Sequence, residues 1–286
     1  MTGRIPVRKT YKLYVSGKFA RSESGRHQLV KDHTGRVGGN VPLASRKDVR
    51  DAVSAARRAF GPWADRSAYN RGQILYRWAE ALEARAAELS LAAVNDRGIS
   101  AEAARDELAV AVDVLVHHAG WTDKIAATLG TINPVAGPHH SFTAPVPTGV
   151  VAVLAPDEPD LLGLVREVAP ALAAGNTVVA IASERWPRRS LDLGEVLAVS
   201  DVPGGVVNIL SGQRSELMEP LCGHRDVNAI VDATADPDLR SRIDLLAADT
   251  VKRVSRCVAG SRFDDGSLAR IEALVEMRTA WHPVGV

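Results

Sequence analysis

Two thiols, two histidine pairs and one arginine cluster are the residues of this 286-residue chain that invite chemistry first. Cys222 and Cys257 are the only cysteines, far apart and outside any CxxC spacing, so they offer a nucleophile at most and no zinc or iron-sulfur framework. Arg253 and Arg256 would lower the pKa of Cys257 if they faced it, but a small half-buried strand residue is the reading taken. Cys222, in Leu-Cys-Gly, has less still to activate it. The pairs His117-His118 and His139-His140 suggest a metal. Neighbours on a helix point about 100° apart, and no carboxylate or thiol stands at ligand spacing, so solvated or packing histidines and no metal are expected. Arg185, Arg188 and Arg189 are a candidate anion site. Beside Pro187, in a chain with 28 Arg and 7 Lys, they read as a solvated helix start.

Composition narrows the partners. Lys and Arg number 35 against 34 Asp and Glu, a net charge of +1, with 46% hydrophobic residues. That balance excludes a basic nucleic-acid footprint. No apolar run approaches the ~18 residues of a membrane helix, and Met1 to Thr10 is basic without the apolar core of a signal peptide. Sparse cysteine fits a reducing compartment, so a cytoplasmic location is expected.

The elements that must position these residues change character near residue 130. Ser45, with Asp48 three residues on, has capping-box spacing and opens a helix carrying Val49, Ala52, Val53, Ala56 and Phe60 on one face. A second helix is predicted over about 67–94, with Ile74, Leu75, Trp78, Leu82 and Leu89 as its stripe. Gly98 ends it, and Ser100 caps a third helix running to about Ile125. Residues 130–147 hold four prolines, two glycines and a histidine pair, a composition for a protruding ribbon. From Gly149 strands and helices alternate: strands at 150–155, 177–182, 206–210, 227–231 and 251–258, helices near 161–174, 188–199, 215–222 and 237–248, and a last helix at 267–278. Continuous apolar strands between helices predict α/β architecture, a doubly wound parallel sheet covered on both faces.

Several segments together resemble the aldehyde dehydrogenase family: YVSGKF at 14–19, SRKDVRDAVSAARRAFGPWADRSAYNRGQIL at 45–75, PTGVVAVLAPDEPDLL at 147–162, VAPALAAGNTVVAIASE at 168–184, VPGGVVNILSG at 202–212 and VKRV at 251–254. Their shared order is more specific than any single motif. The resemblance implies a Rossmann-like nucleotide-binding domain with an N-terminal helical part at 1–130, an oligomerisation ribbon at 131–147, an α/β core at 148–258 and a stub of catalytic domain at 259–286. It also places Thr279–Val286 against the family's cysteine loop, so most of the catalytic domain is expected to be missing.

Carried over position by position, the family's chemistry is depleted. The asparagine that donates to an oxyanion falls at Glu158, and an ionised carboxylate repels an oxyanion instead of donating to it. A general acid-base role for Glu158 is the functional alternative; a solvated loop carboxylate is the reading taken. The family's general base falls at Cys257. Of the residues that hold the adenine ribose the lysine has become Ile181, while Ser183 and Glu184 remain, with Gly212 a further cofactor-site remnant. The pyrophosphate segment reads 234–239, where Asp236 and Asp238 occupy a helix start and satisfy the amides that a phosphate would have used.

The resemblance thus implies a catalytically inert aldehyde dehydrogenase-like protein, a partner or scaffold subunit assembling with itself or with an intact aldehyde dehydrogenase. It is similar to the non-catalytic second region of the family's two-region branch, whose P-D-E variant matches Pro156-Asp157-Glu158. No cofactor is expected, or only weak NAD or NADP binding. The alternative is an NAD(P)-dependent aldehyde oxidoreductase completed in trans by another chain, and a gene remnant is a third. Ile271, Leu274, Val275 and Trp281 would lie next to the missing domain and need cover from another subunit or from the chain's own tail.

Overall fold

The Ser45 hydroxyl accepts from the amides of Lys47 and Asp48, and the Asp48 carboxylate accepts from the Ser45 amide at 2.8 Å, so both halves of the box close. Ser45→Ala is expected to cost about 1 kcal/mol. In a thermal melt followed by circular dichroism that is a fall of about 2–4 °C, and an unchanged midpoint would show the cap idle.

The computed structural model describes residues 8–234, 236–256 and 267–284, so Cys257 and Val258 lie outside the described residues. Four strands come first: β1 (Leu13–Val15), β2 (Lys18–Ala20), β3 (His27–Lys31) and β4 (Val37–Pro42). Helices α1 (Arg46–Ala64), α2 (Ala68–Glu83), α3 (Ala86–Arg97), α4 (Ala101–Trp121) and α5 (Ile125–Leu129) follow. Then come β5 (Thr131–Asn133), β6 (His139–Pro147), β7 (Val150–Leu154), α6 (Asp160–Ala173), β8 (Thr177–Ile181), α7 (Pro187–Leu197), β9 (Val207–Leu210), α8 (Arg214–Cys222), β10 (Ala229–Asp232), α9 (Pro237–Ala248) and β11 (Arg253–Arg256). The short α10 (Ala269–Glu272) and β12 (Val275–Pro283) end the order.

The fold class is α/β, and its main sheet runs β11-β10-β7-β8-β9-β1-β2. Strands β7 to β11 are mutually parallel. Side chains alternate across it as strand geometry demands. Val151, Val153, Val178 and Ile209 join a core with α2, α3, α4, α6 and α7, whereas Val150, Ala152, Val179 and Ile181 join a second core with α1, α8 and α9. Because β8 and β9 lie on one side of β7 and β10 on the other, a crevice opens at the carboxyl ends of the strands where the winding reverses.

Four expectations are corrected. The helix predicted over 67–94 is two, parted at Ala84-Arg85, and the one predicted to end near Ile125 stops at Trp121. No glycine or proline marks the first break; the corner lets Leu82 and Leu89 both bury fully. Gly98 does terminate α3, at φ 71°, a left-handed position that glycine takes without cost. The N-terminal part is not only helical, nor the sheet wholly parallel: Tyr14 of β1 pairs antiparallel with Ile209, and β2 pairs antiparallel with β1.

The third correction concerns the C-terminal helix, which ends at Glu272. From Val275 to Pro283 the chain pairs with β6 along nine register positions, joining β5 in a three-stranded sheet. A local run of helix formers loses to this ladder because intrinsic propensity is weak beside tertiary pairing. Thr279–Pro283 is therefore strand, not the loop implied by the resemblance. Fourth, the chain itself supplies the cover expected for Ile271, Leu274 and Val275, which are 1%, 2% and 4% exposed, and only Trp281, 61% exposed on the ribbon, is left without it. Among the described residues no helix is long and apolar enough to cross a membrane.

Candidate functional site

Strand β7 delivers Ala155, Pro156, Asp157 and Glu158 to the crevice, β8 delivers Ser183 and Glu184, and β9 delivers Gly212 and Arg214. Of these, Ser183, Glu184 and Arg214 meet at Asp157. Its Oδ1 accepts from the Ser183 hydroxyl at 2.9 Å, from the amides of Glu184 and Arg185 at 3.0 and 3.2 Å, and from Arg214 Nη2 at 2.8 Å. Its Oδ2 accepts from Arg214 Nη1 at 2.9 Å, making the pair bidentate. Burial pulls this carboxyl's pKa up, but the Arg214 hydrogen bond and charge, with the Arg185 amide and Ser183, outweigh it and leave the pKa below the usual carboxylate value.

Glu184 turns the other way, accepting from the Arg214 backbone N–H at 2.9 Å and so satisfying the first amide of α8. Gly212 sits at φ 151° with its missing Cβ aimed at Leu217 Cδ1 (3.0 Å) and the Ala44 backbone (3.2 Å), so close packing demands a glycine there. Glu158 accepts from the Trp186 indole N–H at 3.2 Å and lies 3.4 Å from Arg185, whose guanidinium stacks over the Trp186 ring at 5.1 Å. It is thus half-exposed and partnered, not merely solvated. Ile181 is fully buried.

At the other side of the crevice Asp236 caps α9, accepting from the amides of Asp238 at 2.9 Å and Leu239 at 3.3 Å. Asp238 adds its charge to the first turn. The chain's own carboxylates thus accept from the amides that open α8 and α9.

The arginine cluster is corrected. Arg185 is exposed, but Arg188 and Arg189 are 8% and 1% exposed and paired beneath the crevice. Arg188 grips Asp96. Arg189 and Arg97 both reach Glu107 and Asp160, with Arg189 2.7 Å from Glu107 and 3.3 Å from Asp160. Burial lifts the Asp160 carboxyl to about 6, opposed by Arg189 and Arg97 and aided by Glu107. This network ties α3, α4, α6 and α7 together. Cys222 is buried, and burial, with Asp232 nearby, pushes its thiol up to about 12, far from a thiolate at neutral pH.

Of the histidines, His118 is buried with Nδ1 at 2.7 Å from the Val114 carbonyl, and His117 packs edge-on against it. His139 packs on Trp281, and Phe142 packs against both His140 and His282. Among the described residues no three histidine, cysteine or carboxylate side chains form a group able to hold a metal.

The reading from sequence missed Asp157, Trp186 and Arg214 as site residues. Asp157 and Arg214 are 57 residues apart, and only the parallel sheet, which aligns the ends of β7, β8 and β9, makes them neighbours.

Comparison with known proteins agrees with this fold. Over 260 residues the chain is 33% identical to the mitochondrial benzaldehyde dehydrogenase of Antirrhinum majus, covering 89% of this chain and 48% of that protein. It is 32% identical to the cytosolic 10-formyltetrahydrofolate dehydrogenase of Xenopus tropicalis, covering 91% of this chain and 29% of that one. The chain thus spans half the length of these relatives or less. The solved NAD+ complex of an aldehyde dehydrogenase from Bacillus cereus superposes with a TM-score of 0.83 at 26% identity, over 87% of this chain and 50% of that one. A sequence model of the aldehyde dehydrogenase family matches residues 19–262, most of the chain, and with the crevice and sheet order above it the conclusion is plain: this chain belongs to the aldehyde dehydrogenase family.

Proposed function

We propose that this chain is a catalytically inert, aldehyde dehydrogenase-like subunit, acting as partner or scaffold for itself or for an intact aldehyde dehydrogenase in the cytoplasm. The observation that carries the reading is the filled crevice: Asp157 and Glu184 occupy the donors around Ser183 and the α8 start, while Asp236 occupies those of α9. Glu158 stands where the family places a hydrogen-bond donor, so the oxyanion of an acyl-transfer step would meet negative charge. In this reading 148–258 is a nucleotide-binding-like core without a cofactor.

The ribbon, 131–147, with β12 as its third strand, is the assembly element. Ile132 and Trp281 are 76% and 61% exposed on it, and an uncovered sheet edge pairs readily with another chain. Light scattering at micromolar concentration is expected to give a dimer or larger species, and Ile132→Glu with Trp281→Glu to release monomer. A monomeric unmodified chain that also retains no intact aldehyde dehydrogenase in a pull-down would end the scaffold reading.

Binding of NAD is expected to be weaker than about 10 μM, or about 7 kcal/mol, with Asp236 and Asp238 one cause. Asp236→Asn with Asp238→Asn should tighten it in calorimetry. The second reading, an NAD(P)-dependent oxidoreductase completed in trans, draws support from the retained Ser183 and Glu184 and from the NAD+-bound structural relative. A rise in melting temperature of the unmodified chain with micromolar NAD would favour that reading, since a ligand specific for the native state stabilises it by mass action.

A further inference from the structure

The geometry points to Asp157 as a tethered plug in an anion cradle: one carboxylate of the chain itself, not a lack of donors, keeps phosphate monoesters out of the crevice. Five donors converge on that carboxylate, from Ser183, Glu184, Arg185 and both terminal nitrogens of Arg214. Two consecutive amides and a forked guanidinium are the elements of a phosphate-binding nest. The cradle is preorganised without its occupant. The Trp186 amide donates to Ser183 Oγ at 2.8 Å, which leaves the hydroxyl proton for Asp157, and Arg214 Nη2 is anchored on the Ala155 carbonyl at 2.7 Å. Arg214 is only 7% exposed, so the surrounding chain holds its fork in place.

The occupant differs from its cradle in burial. The Asp157 side chain is 39% exposed, so it closes the cradle from the solvent side and its removal opens a path instead of a void. Its depressed pKa keeps it charged throughout the neutral range. An incoming phosphate must therefore displace a carboxylate held in place by its own loop, whose effective concentration is millimolar or more. Once the plug is gone, a phosphate monoester, carrying about −1.5 to −2 charges at pH 7, has three oxygens to share among the same donors. The ligand class is a monoester and not a dinucleotide, because the amides at the start of α9 stay capped by Asp236.

The inference rests on the reading of the crevice as closed, and its test fails separately from that of the inert function. Inorganic phosphate and 5′-AMP are titrated into the unmodified chain, Asp157→Ala and Asp157→Ala with Arg214→Met, with adenosine as the uncharged control, by calorimetry and thermal shift. Asp157→Ala is expected to bind phosphate and 5′-AMP on the order of tenfold or more tighter than the unmodified chain, with a matching rise in midpoint. Adenosine is expected not to bind, and the gain is expected to vanish with Arg214→Met. If Asp157→Ala does not fold, Asp157→Asn, which keeps the size and loses the charge, carries the same comparison. A folded variant that binds no phosphate, equal binding by the unmodified chain, or a gain that survives Arg214→Met would each overturn the plug. Aldehyde turnover by the unmodified chain would overturn the inert function and leave the plug standing.

Discussion

With NAD or NADP present, the purified chain is expected to oxidise no aldehyde above background. Aldehyde oxidation through a thiohemiacetal needs a thiolate, donors for an oxyanion and a nicotinamide poised to take hydride. Cys222 fails the first requirement, because burial pushes its thiol up to about 12 and no space is left around it. On the resemblance, Glu158 falls where the family places its oxyanion donor, and there its carboxylate, which accepts from Trp186, would repel a developing negative charge. Loss of one oxyanion donor alone costs about 10²–10³ in rate, and replacing it with a carboxylate adds repulsion. In the proposed reading the crevice fails the third, since Asp157, Glu184 and Asp236 hold its donors. Steady-state reduction of the nicotinamide is the measurement. A rate that disappears in Cys257→Ser would refute the expectation and name the nucleophile at once.

Arg189→Met is expected to be the most damaging single change to the fold. Arg189 is 1% exposed and neutralises Glu107 and Asp160 together, so its loss leaves the fully buried Asp160 and the largely covered Glu107 facing Arg97 alone. Breaking one partner of a buried ion pair costs about 3–5 kcal/mol, and at about 2–4 °C per kcal/mol the thermal midpoint should fall by roughly ten degrees. Removing charge in balance, as in Arg189→Met with Glu107→Gln, is expected to cost less than Arg189→Met by itself. A single variant within about 1 kcal/mol of the unmodified chain would show that the network holds nothing.

Asp160 gives the same network a pH signature. Its folded-state pKa, about 6, lies above the ordinary aspartate value of 3.8. A carboxyl raised on folding destabilises the fold above its folded pKa, and that penalty is relieved as pH falls from about 6 towards about 4. The unmodified chain should therefore gain stability relative to Asp160→Asn between pH 7 and pH 5, read as the difference of their melting midpoints. A difference independent of pH would mean that Asp160 does not titrate there.

Local rules carried much of the architecture. The Ser45 capping box and the left-handed Gly98 are decided by contacts within a few residues, and the apolar strands from Val150 onward announce themselves by composition; all appear where their spacing put them. The order of family-like segments carried the fold and the crevice's position. Tertiary structure alone decided what depends on distant partners. Residues 273–278 read as helix until β6 offers a ladder along nine positions. Arg189 reads as a surface cation until Glu107 and Asp160, from two other helices, surround it. Asp157 reads as one loop carboxylate among many until the parallel sheet lines up the ends of β7, β8 and β9 and brings Ser183 and Arg214 to its oxygens. Sequence periodicity reports which face of an element is buried; it carries no information on which charges meet there, because that is set by how whole elements dock.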